Sequence, residues 1–164
     1  MLHLMSPMAS ASPSPSPQSD ERRAALAVLA RAHAEELASG LAAVDGAPAF
    51  ETIRAPESGL VMARGRIGGG GAPFNLGEVT VTRAVVRAAT GEVGFGHVLG
   101  RDTDRALLVA KLDALWQAER TRPIVDAAVI APVSRRLAAE DETTRRKTEA
   151  TRVNFFTLVR GEDT

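Results

Sequence analysis

Arg83 and Arg87 lie in the run Gly77-Glu78-Val79-Thr80-Val81-Thr82-Arg83-Ala84-Val85-Val86-Arg87. Period-two alternation places both on one strand face, together with Val79, Val81 and Val85. A guanidinium presents a planar fork of donors that matches carboxylates and phosphates. Charge on an apolar face is costly unless it is paired. Two readings follow. Either the arginines pair with acids of this chain, such as Glu78, Glu92 or Asp102, or are turned outward by a bulge, or they bind an anion or a partner surface. Arg101 is a third candidate. It stands in Gly100-Arg101-Asp102, where a strand hands over to a helix, and free helix amides favour anions. Asp102 reads as the cap of that helix.

Other chemistry is sparse. The chain has no cysteine and no tyrosine, so thiolate, disulfide and phenolic chemistry are absent. Its three histidines, His3, His33 and His97, are far apart and form no His-x-x-x-His ligand pair. His97 shares a strand face with Val93, Phe95 and Leu99 and reads as a packed or interface residue. Gly68 to Gly71 suggest a phosphate loop, but no Gly-Lys-Ser/Thr ending follows. The run reads as an inter-strand connection, or as a loop that closes over a ligand or partner. Twenty basic and twenty acidic residues give a formal net charge of zero, without the basic bias of a nucleic-acid binder. No apolar run approaches the roughly 18 residues of a membrane span.

The chain end is unusual. Thr151-Arg152-Val153-Asn154-Phe155-Phe156-Thr157-Leu158-Val159-Arg160 carries two of the five phenylalanines. Burying a Phe stabilises by roughly 1.5–3 kcal/mol, whereas chain ends are ordinarily polar. Arg152, Phe155 and Phe156 are therefore candidates for docking, on this chain or on a partner.

The positioning elements follow from the pattern. Residues 1–18 contain the Ser/Pro tract Ser10 to Pro17 and are expected to be disordered. Met1 to Met5 lack the basic start of a secretory signal, and the cytoplasm is the default location. Residues 19–164 are expected to form one domain. A helix is expected from Ser19, with a second from about Ala34. The α+β class follows from an antiparallel sheet of about four strands: Phe50–Arg54, Leu60–Ile67, Phe74–Ala88 and Val93–Leu99. Gly77 marks a bend or bulge, and Thr90-Gly91 a turn. A helix capped at Asp102 or Thr103 buries Leu108, Leu112, Leu115 and Trp116 and ends near Pro123. Ile124 to Pro132 reads as irregular. Ser134 caps a last helix to Thr151, with Asp141–Arg145 and Glu142–Arg146 as i,i+4 pairs. From Ser134 to Arg152 its only large apolar residue is Leu137. A helix polar all round is solvated or bridging, so a docking arm is expected from about residue 134.

Several blocks, in order, resemble the PhnG subunits of the bacterial carbon–phosphorus lyase machinery. They are Glu57 to Met62, Phe74 to Arg83, Val98 to Asp102, Asp113 to Leu115 and Thr151 to Glu162. The resemblance runs from about Arg22 to the end. It implies work with PhnH-, PhnI- and PhnL-like partners, which together displace adenine from ATP with a phosphonate to give α-D-ribose 1-methylphosphonate 5-triphosphate. It also implies a core complex with PhnH-, PhnI- and PhnJ-like subunits, two copies of each. The nucleosidase activity is associated with the I-type subunit, and the iron–sulfur and S-adenosylmethionine chemistry with the J-type. No cofactor is expected on this chain; ATP and methylphosphonate are substrates of the complex. No catalytic residue carries over. Arg83, Arg87 and Arg101 are expected at anion or inter-subunit contacts, and Arg152, Phe155 and Phe156 at docking. The sequence departs from the family at Ala84, where many relatives carry cysteine, and at His97, where an aromatic is common. The rival readings are a stand-alone enzyme or binding protein for phosphorylated metabolites, with the arginines as a phosphate clamp, and a domain that self-associates through its aromatic end.

Overall fold

A computed structural model describes residues 17–66 and 71–150. The order of elements is α1 (Pro17–Leu29), α2 (Ala34–Ala42), β1 (Phe50–Gly65), β2 (Phe74–Ala88), β3 (Val93–Leu99), α3 (Thr103–Gln117), α4 (Arg122–Val125) and α5 (Ala131–Ala150), with a π-helical turn at Asp126–Ile130 between α4 and α5. The strands form one antiparallel sheet in the order β1-β2-β3. The class is α+β, as expected, but with three strands rather than about four. Ala55-Pro56-Glu57 does not end a strand. β1 runs through it with register shifts between Thr52 and Arg54 and between Arg54 and Glu57. β1 is an edge strand, where a proline's missing donor breaks no ladder bond and a bulge absorbs the extra residues.

β2 alternates as read. Thr82, Ala84, Val86 and Ala88 are buried on the helix side, while Arg83 and Arg87 face outward. Gly77 takes a positive φ of 148°, next to the register shift between Ala63 and Arg64. Gly91 turns the chain at φ 110° and donates to Ala88 O at 2.9 Å.

β3 reads Val-Gly-Phe-Gly-His-Val-Leu, and its helix-facing positions are Gly94, Gly96 and Val98. Glycine inside a strand costs roughly 0.5–1 kcal/mol relative to alanine. A close approach offsets that here. A Cβ on Gly94 would overlap the carbonyl oxygen of Ala110, and one on Gly96 would overlap that of Ala106. The α3 backbone rests directly on β3 through Ala106, Ala110 and Ala114. Asp102 caps α3 by accepting from Arg105 N at 2.9 Å. Away from the sheet, α3 shares one core with α1, α2, the π-helical turn and the start of α5. That core includes Leu29, Leu37, Val109, Leu112, Trp116, Val125, Val129, Val133 and Leu137.

Two prolines act differently from expectation. Pro123 starts α4 in its first turn rather than ending α3, because its missing N–H is unneeded there. Residues 124–132 are helical, not irregular. Pro132 is accommodated because the preceding π-helical turn routes Ala131 N to Asp126 O, a wider spacing than the α ladder with which a proline ring clashes. The expected Asp141–Arg145 pair is also replaced. Asp141 meets Arg31 of the α1–α2 connection at 3.4 Å, while Arg145 pairs with Glu149. Glu142–Arg146 forms at 3.8 Å.

Gly96→Val should separate α3 from the sheet. Urea denaturation is expected to show a loss of about 3 kcal/mol or more, and an unchanged midpoint would contradict the close-contact account.

Candidate functional site

Among the described residues, no helix covers the outer face of the sheet. Cross-strand pairing sets its rows: Glu57–Arg83–His97, Arg54–Val85–Phe95 and Glu51–Arg87–Val93. Arg83 Nε donates to Glu57 Oε1 at 2.7 Å, and Arg54 Nη1 donates to the same oxygen at 2.9 Å. These bonds, Arg83 first, hold the Glu57 carboxyl below the usual range. Arg87 Nη1 lies 3.4 Å from Glu51 Oε2. The acids are thus cross-strand neighbours on β1 and not Glu78, Glu92 or Asp102. Arg83 and Arg87 are about half exposed, so the face is a solvated ionic surface and escapes the penalty of buried charge.

Arg101 lies beyond the far end of β3, on the exposed turn before α3. It borders a concavity of about 400 Å³ with Ser58, Gly59, Leu60 and Thr80. It has no ion-pair partner among the described residues. The turn beneath it is fixed by two hydroxyls: Thr82 Oγ1 donates to Gly100 O at 2.6 Å and lies 2.8 Å from Ser58 Oγ. Arg101 and Arg87 therefore sit at opposite ends of β3, with Arg83 between them and already engaged by Glu57. The structure does not gather the three into a clamp. His97 is exposed and stands opposite Arg83. Ala84 is fully buried, so a side chain at that position is sealed under the helices. Arg152, Phe155 and Phe156 lie outside the described residues.

The sequence reading missed a buried ion pair. Asp113 of α3 is 1% exposed. Its carboxylate accepts from Arg22 Nε at 3.0 Å, Arg22 Nη2 at 2.6 Å and the amide of Phe95 at 2.8 Å. Arg22 Nη2 and Gln117 Nε2 both donate to Val93 O. The Asp113 hydrogen bond raises the Arg22 pKa against the opposing effect of burial. Together these groups satisfy part of β3's free edge, which would otherwise be open to pairing with another strand. The signal was only an acid within an apolar helix pattern, with its partner 91 residues away.

A cavity of about 280 Å³ lies beside this pair, lined by Gln18, Ser19, Arg22, Trp116, Gln117 and Arg122. Arg122 stacks over Trp116 at 4.3 Å, and Trp116 Nε1 donates to Asp126 Oδ1 at 2.8 Å. Among the described residues, no group of three His, Cys, Asp or Glu side chains is arranged to hold a metal ion.

At the other end of the molecule, Arg136 fixes the root of α5. It holds Glu36 through two bonds of 2.9 and 2.8 Å, Glu140 at 2.8 Å and Arg31 O at 3.2 Å. The Glu36 carboxyl is held low, first by Arg136. From Ala138 to Ala150 every α5 residue is exposed. The helix thus leaves the core as a polar rod, with its direction set by the Arg136 clamp.

The outer sheet face is thus ion-paired, and the outer half of α5 is exposed and polar. Residues 20–161 match the family described as phosphonate metabolism protein PhnG. The alpha-D-ribose 1-methylphosphonate 5-triphosphate synthase subunit PhnG of Rhizobium meliloti (strain 1021) is 53% identical over 143 residues, which cover 87% of this chain and 91% of the relative. The chain belongs to the PhnG family.

Asp113→Ala leaves Arg22 with an unmatched, partly buried charge. It is expected to lower stability by about 3–5 kcal/mol, while Arg83→Ala, which breaks an exposed pair, leaves the denaturation midpoint nearly unchanged. Equal losses in the two variants would contradict this division between structural and surface ion pairs.

Proposed function

We propose that this chain is a structural and substrate-organising subunit of a carbon–phosphorus lyase core complex. In this role it supports formation of α-D-ribose 1-methylphosphonate 5-triphosphate and adenine from ATP and methylphosphonate. The observation that carries the proposal is the 53% identity, across nearly the whole of both chains, to a relative named as a subunit of that synthase. The partners are PhnH-, PhnI-, PhnJ- and PhnL-like proteins, with two copies of each core subunit, and the location is the cytoplasm. No helix among the described residues is long and apolar enough to cross a membrane.

In this reading the chemistry belongs to the partners, and this chain supplies surfaces. The Glu57–Arg83 and Glu51–Arg87 pairs present charge that is already oriented. A partner's carboxylate or phosphate could exchange with Glu57 or Glu51 without moving an arginine far. Arg101, without an ion-pair partner among the described residues and beside a concavity, is the arginine most available for a new anionic partner. Arg152, Phe155 and Phe156 follow the exposed half of α5 in the chain and remain the proposed docking group, with aromatic and arginine side chains suited to an interface centre.

Co-expression with H-, I- and J-type subunits tests this proposal. A tag on the I-type subunit is expected to recover this chain, and native mass measurement to show equal numbers of the four subunits. Recovery of the partner subunits as a complete assembly lacking this chain would contradict it.

A further inference from the structure

β3 pairs with β2 only from Val81 to Arg87, yet the β1–β2 pairing continues outward to Gly65 and Phe74. Residues 59–66 and 74–80 therefore form a two-stranded arm beyond the third strand and beyond the helices. A two-stranded ribbon in water is marginally stable on its own. This one also exposes apolar side chains on both faces, beside Thr80 and Glu78, the partners of Leu60 and Met62. Val61 and Val79 are cross-strand partners on the face continuous with Arg83. Leu60 and Met62 project from the opposite face, 62% and 51% exposed. Phe74 and Leu76 are exposed near the tip, and Leu76 lies against Gly65. Scattered surface leucines are ordinary; a contiguous apolar element with both faces bare marks an interaction site.

The charges around the arm specify the occupant. Arg64 and Arg66 are exposed at its outer end, Arg101 stands at its base, and Glu78 is its one acid. None of the three arginines has an ion-pair partner among the described residues, unlike Arg83 and Arg87 farther down the sheet. An arm-to-arm contact between two copies would set positive charge against positive charge. Pro56 also removes one backbone donor from the free edge of β1. With exposed apolar side chains on both faces, the arm is covered fully by a cleft and only half by a flat surface. We infer that residues 59–66 and 74–80 insert into an apolar cleft with an acidic rim on a different polypeptide of the assembly. This rests on the subunit role proposed above and assigns a contact to residues other than Arg152, Phe155 and Phe156. The one register shift in the arm, where Ala63 pairs with Gly77 and Arg64 with Asn75, alters the local twist and thus the angle of insertion.

The test compares the full-length chain with Leu60→Asp/Leu76→Asp and Ile124→Asp variants, each co-expressed with tagged H-, I- and J-type subunits. Ile124 is an exposed apolar residue on α4, away from the arm. The arm variant is expected to be recovered at least tenfold less than the parent chain, and Ile124→Asp at the parental level. A second readout does not depend on any variant: hydrogen exchange of the parent chain. Amides of residues 59–66 and 74–80 are expected to exchange at least tenfold more slowly in the assembly than in the isolated chain. Parental recovery of the arm variant, with unchanged exchange, overturns the arm proposal and leaves the subunit role standing. Failure of the parent chain itself to be recovered overturns the subunit role and the arm proposal with it. If the isolated parent sediments as a dimer and the arm variant as a monomer, the arm serves a second copy, and the inferred partner is wrong.

Discussion

Gly94 and Gly96 let the α3 backbone sit against β3 without an intervening layer of side chains, and the rest of the molecule is arranged around that contact. It fixes which face of the sheet is covered, because the period-two pleat leaves no freedom once two alternate positions are glycine. Thr82, Ala84 and Val86 of β2 then turn inward, and Arg83 and Arg87 outward. It also brings Asp113 to the edge of β3, where the carboxylate meets both the Phe95 amide and Arg22. One close approach therefore determines the core, the ion-paired face and the attachment of α1.

The elements whose cues are local were legible in the sequence. The alternation of β2, the Gly77 bulge, the Thr90-Gly91 turn and the Asp102 cap each depend on a few adjacent residues. Features that depend on distant neighbours were not. Glu78, Glu92 and Asp102 were the acids suggested for Arg83, but strand pairing brings Glu57 to it. Asp113 was given no role of its own, because its partner Arg22 lies 91 residues away. The prolines at 56, 123 and 132 all suggested interruptions, yet each occupies a place where its missing donor is tolerated: a sheet edge, a first helical turn and the exit from a π-helical turn. The glycines of β3 carried a signal of close packing, but only the α3 backbone shows what they pack against.

The candidate surfaces divide by how far they lie from the core. Arg83 and Arg87 lie on the stiff part of the sheet and hold their carboxylates in register. The β1–β2 arm and the outer half of α5 lie beyond the core cluster, where few buried contacts oppose movement. The two projections differ in chemistry: the outer helix is polar all round, and the ribbon exposes apolar side chains on both faces. A helix of that kind tolerates water along its length, whereas the ribbon gains stability by being covered. In the proposed assembly, covering the ribbon would supply the larger gain, and the sheet-face ion pairs would contribute orientation and selectivity more than affinity.

Membership of the PhnG family supports the proposal that this chain enables chemistry performed by others. Adenine release from ATP and methylphosphonate tests it most directly, measured with the isolated chain and with the partner set in its presence and absence. The account predicts no release by the isolated chain, release by the full set, and loss of that release when this chain is left out. Adenine formation by the isolated chain, or undiminished formation by the partners without it, would contradict the account.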